Sequence, residues 1–178
     1  MYSGVFRLTA LYPGNQKLEG LEVYGYCSKG LPGLEIVGLG SLGRSIKEKL
    51  IFLSRQFGIK IPLKRYVLCI DLPPILKKEK GADDCRWLEL PLLILFWTLS
   101  GVLELENLED CVAMGKVQVN GTVLCPELEN INLTGENKII APSFVSIPME
   151  SYLIPLEELF NSAGVTSLDY KMSKLKVS

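Results

Sequence analysis

The 178-residue sequence contains no histidine, so it lacks the side chain that most often serves as general base or metal ligand. It has no GxxxxGK[ST] motif, which excludes a P-loop ATPase within this chain. Its five cysteines include no CxxC pair, and an odd, dispersed set argues against a disulfide framework or a zinc site. We therefore expect free thiols, a cytoplasmic location, no metal and no cofactor.

The sequence also lacks a charge imbalance and a membrane-spanning run. Its 19 basic and 20 acidic residues leave a formal charge of −1, so no overall attraction to nucleic acid follows. The first residues, MYSGVFRLTALYPG, lack a basic start followed by an apolar core, so we expect no signal peptide. The apolar run at residues 88 to 103 is interrupted and shorter than the roughly 20 residues that a membrane span requires. We interpret it as a buried helix.

The first half of the chain alternates between strand and helix patterns. Residues 5 to 12 and 19 to 28 predict a hairpin around Pro13 and Gly14, and residues 34 to 37 predict a third strand. From Ser41 the apolar residues recur every three or four positions, which predicts an amphipathic helix that ends near Gly58. The continuous apolar run at residues 66 to 72 is typical of a buried strand.

The second half predicts a central helix followed by short strands. After the helix at residues 88 to 103 come strands near 111 to 118 and 122 to 125, joined by Asn120 and Gly121 as a tight hairpin. A strand at 138 to 141, a short one near Tyr152 and a helix at 155 to 162 follow. We expect one α+β domain over residues 1 to 166. Residues 167 to 178, with Lys171, Lys174 and Lys176, are predicted to be a basic linker or disordered tail.

A glycine-rich turn is the first candidate binding site. Gly38, Gly40 and Gly43 fit GxGxxG between a predicted strand and a predicted helix, a pattern that can hold a pyrophosphate. The acid expected after the next strand would be Asp71, which lies farther along than usual. A glycine turn that leads into a packed helix is the alternative.

The order of several short motifs resembles the N-terminal domain of the ComM, or magnesium-chelatase-related, AAA+ family. These motifs are Gly30-Leu31-Pro32, Ile36-Val37-Gly38-Leu39, Ser45-Ile46-Lys47-Glu48, Pro62-Leu63-Lys64-Arg65, Leu90-Pro91 and the segment from Met114 to Pro126. That domain is similar to the Lon peptidase domain, so the resemblance implies a Lon-like mixed sheet with helices packed on one side. Relatives carry a following AAA+ module, absent from this chain, that forms hexameric rings linked to DNA processing and natural transformation.

The resemblance also implies where a peptidase would keep its catalytic dyad. Lon-type enzymes hold a serine in the loop before the central helix and a lysine on a later helix. Here residues 73 to 87 contain no serine and residues 127 to 137 contain no lysine, so we expect no enzymatic activity. Cys85 is the alternative nucleophile, which Lys80 or Arg86 would activate and Asp83 and Asp84 would oppose.

The charged loop before the central helix is the candidate partner-binding segment. Its basic residues are Lys77, Lys78, Lys80 and Arg86, and its acids Glu79, Asp83 and Asp84 are read as solvated side chains, not a metal site. We expect residues 77 to 86 to be weakly ordered in isolation. The expected partner is a protein, either a second copy or a separately encoded AAA+ ATPase. DNA is an alternative, although Lys60, Lys64 and Arg65 lie about 20 Å away, across one strand.

Overall fold

The computed structural model describes residues 4–14, 16–71, 82–133 and 136–175. The helices within these ranges are α1 (Ser41–Gln56), the single turn α2 (Ala82–Cys85), α3 (Glu89–Leu99) and α4 (Leu156–Ser162), and a 3₁₀ turn, Arg86–Leu88, joins α2 to α3. The strands are β1 (Phe6–Pro13), β2 (Leu18–Ser28), β3 (Gly33–Val37), β4 (Arg65–Ile70), β5 (Cys111–Ala113), β6 (Lys116–Val117), β7 (Thr122–Cys125), β8 (Lys138–Ala141), β9 (Tyr152–Pro155) and β10 (Asp169–Met172).

Seven strands form a mixed sheet in the order β3-β4-β2-β1-β5-β8-β9. The predicted hairpin is confirmed, since β1 and β2 pair antiparallel from Phe6 opposite Gly25 to Pro13 opposite Leu18. β3 and β4 run parallel and are connected through α1. The remaining strands, β5, β8 and β9, extend the sheet in parallel beyond β1. The chain is therefore an α+β protein, as the sequence predicts.

The long helices lie on one face of this sheet. Ile36 of β3 lies close to α1, because a Cβ added to Gly43 of α1 would meet the Ile36 side chain. Ile36 pairs with Leu68 of β4, which pairs with Gly25 of β2. A Cβ on Gly25 would overlap Leu99 at the end of α3, so α1 and α3 cover the same face. Phe160 of α4 packs edge-on against Trp97 of α3.

Helix α3 is the centre of the core. All its residues from Glu89 to Thr98 are buried, which agrees with the prediction of a buried helix. Trp97 is fully buried, and its Nε1–H donates to the Ser54 hydroxyl at 2.9 Å. With 11 residues α3 is far shorter than a bilayer crossing. No helix in the described ranges is long and apolar enough to span a membrane.

Residues 111 to 118, predicted as one strand, divide between two sheets. The break is at Gly115, whose N–H donates to the Trp87 carbonyl at 3.1 Å and whose carbonyl accepts from the Leu90 N–H at 3.1 Å. A Cβ on Gly115 would overlap the Leu90 side chain. The start of α3 therefore takes the hydrogen bonds that a continuous strand would use, and β5 joins the large sheet while β6 joins the small one.

The C-terminal segment contains a strand that the sequence does not predict. Residues Asp169–Met172, placed in a linker or disordered tail, form β10 and pair in parallel with β7 from Thr122 to Cys125. The small sheet has the order β10-β7-β6. Leu168 and Tyr170 pack against the core, and the free edge of β7 supplies the backbone hydrogen bonds. A short strand with two apolar side chains is stable here because a partner edge is already in place.

Ionisation of buried thiol and phenol groups is expected to destabilise the protein at high pH. Burial, reinforced by Glu157, raises the pKa of the Cys125 thiol from about 9 to about 12, and burial raises that of Tyr66 from 10 to about 12. The folded state holds these protons more tightly, so the stability is present below pH 9 and is lost as pH rises from 9 to 12. Each group contributes a slope of up to about 1.4 kcal/mol per pH unit in its window.

Urea unfolding at pH 8, 9, 10 and 11 measures this slope. Cys125→Ala should be less stable than the wild type at pH 8 but should lose less stability between pH 9 and 10. An identical slope in the two proteins would contradict the assignment to Cys125.

Candidate functional site

The residues nominated by the sequence fall at two places in the fold. Gly38, Gly40 and Gly43 lie between β3 and α1, and Arg86 lies in the 3₁₀ turn before α3. The other basic candidates, Lys77, Lys78 and Lys80, lie outside the described residues. So do residues 77 to 81 of the loop for which weak order is predicted, whereas its last residues form α2 and the 3₁₀ turn.

The glycine turn is shaped by close contact with the sheet. Gly38 has φ +108°, and a Cβ there would overlap the carbonyl oxygen of Ile70 at the end of β4. A Cβ on Gly43 would lie 3.2 Å from the carbonyl oxygen of Ile36. Gly40, with φ +57°, precedes the first residue of α1. Backbone packing and turn geometry therefore account for all three glycines without a bound nucleotide.

A buried acid at the start of α3 is the most unusual chemical feature of the described residues. Glu89 is 1% exposed and is the one charged side chain among them that is buried. Its Oε2 accepts a hydrogen bond from Lys49 Nζ of α1. Its Oε1 contacts Arg86 Nε at 3.3 Å and accepts from the Val117 N–H of β6 at 3.4 Å. A buried carboxylate needs such compensation, because an unpaired charge in the interior is costly.

The ion pairs continue outward from Glu89 to the surface. Asp83 Oδ1 lies 3.9 Å from Arg86 Nη1, and Asp83 Oδ2 accepts from Lys116 Nζ at 3.0 Å. Lys116 Nζ also lies 4.6 Å from the centre of the Trp87 ring. Lysine and arginine thus alternate with the two acids in what we call the charge cluster (Lys49, Asp83, Arg86, Glu89 and Lys116). It joins α1, α2, α3 and β6.

The charge cluster has the chemistry of a structural ion-pair network. Both carboxylate oxygens of Glu89 are engaged by donors, and each of the three cations of the cluster contacts at least one of its two acids. Among the described residues, no three His, Cys, Asp or Glu side chains come together to hold a metal ion. Asp83 is engaged with lysine and arginine, and Glu79 lies outside the described residues.

Sequence reasoning missed Glu89 and Lys49 as partners. In the sequence Lys49 is one of several charged residues of α1, and 40 positions separate it from Glu89. The available signal was the acid in the first turn of a helix that is otherwise apolar on all sides. Such a residue must find a cation when the helix is buried.

Cys85, the alternative nucleophile, is buried. Its side chain is 7% exposed at the end of α2, directly before Arg86. A nucleophilic thiol must reach its substrate and exist as thiolate, so reactive cysteines are partly exposed. The geometry of the described residues therefore does not favour peptidase chemistry at Cys85.

No known family model matches this sequence, and no curated protein matches it significantly.

Thiol labelling gives a direct measure of the burial of Cys85. In the native protein at pH 7.5, we expect Cys85 to react with iodoacetamide more slowly than free cysteine and more slowly than the half-buried Cys69, because the reagent must reach the sulfur. Peptide mapping by mass spectrometry locates the label, and labelling in urea provides the control in which all five thiols react. If Cys85 reacted faster than free cysteine, a nucleophilic role would be supported.

Proposed function

We propose that this chain is a non-catalytic accessory domain of Lon-like fold, related to the ComM-like, magnesium-chelatase-related proteins. Its role would be to bind a protein partner, either a second copy or a separately encoded AAA+ ATPase, in DNA processing or natural transformation. The motif order from Gly30 to Pro126 supports the relationship. The α+β architecture, with its long helices on one face of a mixed sheet, is compatible with it.

The charge cluster carries the non-catalytic part of the proposal. In Lon-type peptidases the segment before the central helix supplies the nucleophile. The described part of this segment, residues 82 to 88, holds ion pairs and a buried cysteine in place of a serine. An acid whose two oxygens are both bound by donors stabilises the fold and is poorly placed to exchange protons with a substrate. None of the five cysteines, all of which lie in the described ranges, forms a disulfide, which is compatible with a reducing, cytoplasmic setting for this domain.

Binding of DNA receives less support than binding of protein. Of the basic group Lys60, Lys64 and Arg65, the arginine is already engaged, since its Nη2 lies 2.6 Å from Glu35 and its Nη1 lies 3.1 Å from Ser28. Phosphate binding depends on cations that are free to replace counterions. We therefore propose a protein as the partner.

The proposal is tested with the purified chain and with the AAA+ ATPase encoded nearest to its gene. Alone, the chain should hydrolyse neither ATP nor a casein substrate above the level of a Cys85→Ala variant. Co-expressed with the ATPase, it should co-purify in a defined stoichiometry and change the ATPase rate. Hydrolysis that Cys85→Ala abolishes, or the absence of any complex with the ATPase and of self-association by sedimentation, would overturn the proposal.

A further inference from the structure

A pocket that no residue of the charge cluster lines opens beside the first residues of β3. It has a volume of about 370 Å³ and is bounded by the C-terminal half of α1, the connection from α1 to β4, and the start of β3. Its interior is lined by apolar and aromatic side chains, among them Leu34, Ile51, Ile59, Ile61, Tyr66 and Phe96. A pocket of this size accommodates one or two large side chains.

The mouth of the pocket exposes large apolar side chains to solvent. Leu63, which lines it, is 87% exposed, and Leu31, next to the lining residue Pro32, is 89% exposed. Scattered surface leucines are ordinary, but two that adjoin an apolar pocket extend its apolar surface outward. This arrangement matches the anchor pocket and surrounding contacts of a protein interface.

The charges at the pocket have one sign. Arg55 and Lys64 both line it, and none of the described residues that line it is acidic. Neither side chain takes part in an ion pair among the described residues. An occupant with carboxylates beside its apolar anchor would neutralise both cations, whereas a basic segment would be repelled. The C-terminal segment of the chain itself is not a suitable occupant, because Lys171 and Lys174 make it basic.

The position of β3 indicates the conformation of the occupant. Within the part of the chain that the structure describes, β3 is the last strand on its side of the large sheet and is paired with β4 alone. Its other edge can accept an extended segment, whose side chains then point alternately to the two faces. A side chain directed to the face of Leu34 would enter the pocket.

We propose that this pocket is a docking site for an extended, acidic segment of a protein partner, which pairs with the edge of β3 and inserts one large apolar side chain. The inference rests on the proposed accessory function and names the chemistry of the partner segment. Arg55 and Lys64 select acidic flanks, and the pocket selects the apolar anchor.

Selection from a displayed library of random dodecapeptides, followed by anisotropy titration of the enriched, fluorescein-labelled peptides, tests the site. Enriched sequences should contain a large apolar residue flanked by Asp or Glu. Leu63→Asp removes an apolar contact at the mouth of the pocket and should weaken binding about tenfold or more. The pair Arg55→Glu with Lys64→Glu reverses the charge that attracts acidic flanks and should have an effect of the same size. All three positions are exposed, so the variants should fold.

Two variants control for the introduction of negative charge away from the pocket. Met149→Asp alters another fully exposed apolar residue, and Arg44→Glu reverses an exposed charge three turns earlier on α1. Both should leave binding within about twofold of wild type. Amide exchange of β3 should slow when the peptide binds.

The outcomes separate this inference from the proposed function. Failure to enrich any peptide, enrichment of basic peptides, or equal losses in test and control variants would overturn the docking site. An enriched peptide that is insensitive to Leu63→Asp would also overturn it, while leaving the accessory role intact. Hydrolytic activity lost in Cys85→Ala would overturn the accessory role, whatever binds at β3.

Discussion

Replacing Glu89 by alanine is expected to lower the free energy of unfolding by about 3 kcal/mol, the lower end of the range for breaking a buried ion pair. Glu89 is 1% exposed, and its removal leaves Lys49, only 16% exposed, without its acid. The Val117 N–H loses its side-chain acceptor as well. The estimate is at the lower end because Arg86 is 39% exposed, so water can replace part of that contact.

Urea denaturation of a small set of variants isolates the pair. Glu48→Ala is the control, since this neighbouring glutamate is 67% exposed and lies 3.6 Å from Lys47; its effect should stay within about 0.5 kcal/mol. Combining Glu89→Leu with Lys49→Met should cost less than the sum of the two single changes, because no unpaired charge remains. If the free energy of unfolding of Glu89→Ala stayed within about 1 kcal/mol of the wild-type value, the charge cluster would not be the stabilising ion-pair network that we describe.

Replacing Gly38 by alanine is expected to cost on the order of 4 kcal/mol, from overlap with the β4 backbone and from the strained positive φ. The Cβ would overlap the carbonyl oxygen of Ile70, a backbone atom that cannot rotate away. Gly40→Ala is the matched control, since its φ is also positive but its Cβ would meet nothing within 4 Å. That variant should cost about 2 kcal/mol, the strain alone, because Gly40 combines φ +57° with ψ −131°, a conformation outside the left-handed helical region that side chains rarely adopt.

The comparison distinguishes two reasons for a glycine-rich turn. If packing on β4 dictates the sequence, the two variants differ strongly in urea midpoint, and neither effect depends on added nucleotide. Should Gly38→Ala fail to accumulate as folded protein while Gly40→Ala folds normally, circular dichroism of the two preparations gives the same ranking. Equal costs at the two positions would contradict the packing explanation. Stabilisation of the wild type by ATP that both variants lose would revive the nucleotide hypothesis.

Local patterns were sufficient to predict most of the elements. The break at Pro13 and Gly14 indicated the first hairpin, and apolar residues at helical spacing from Leu42 to Leu53 indicated α1. Asn120 and Gly121 indicated the β6–β7 hairpin, where Gly121 has φ +88°. These features can be predicted from one sequence because they depend on turn chemistry and on the periodic spacing of apolar residues within about ten positions.

Contacts between distant residues were beyond the reach of such patterns. Glycine packing against Ile70 looks the same in sequence as a phosphate-binding turn, since both need a bare backbone. The strand β10 forms because β7 offers an edge, although the segment by itself resembles a linker.

The sequence by itself determined the α+β class, the hairpins and the buried central helix, because apolar spacing and turn chemistry are properties of residues that are neighbours in the chain. The tertiary structure alone decided which side chains meet. It placed Lys49 against Glu89, divided residues 111 to 118 between two sheets at Gly115, and assembled an apolar pocket from α1, β3 and the connection to β4. Such contacts depend on how whole elements pack against one another, which the spacing of residues along a single element does not specify.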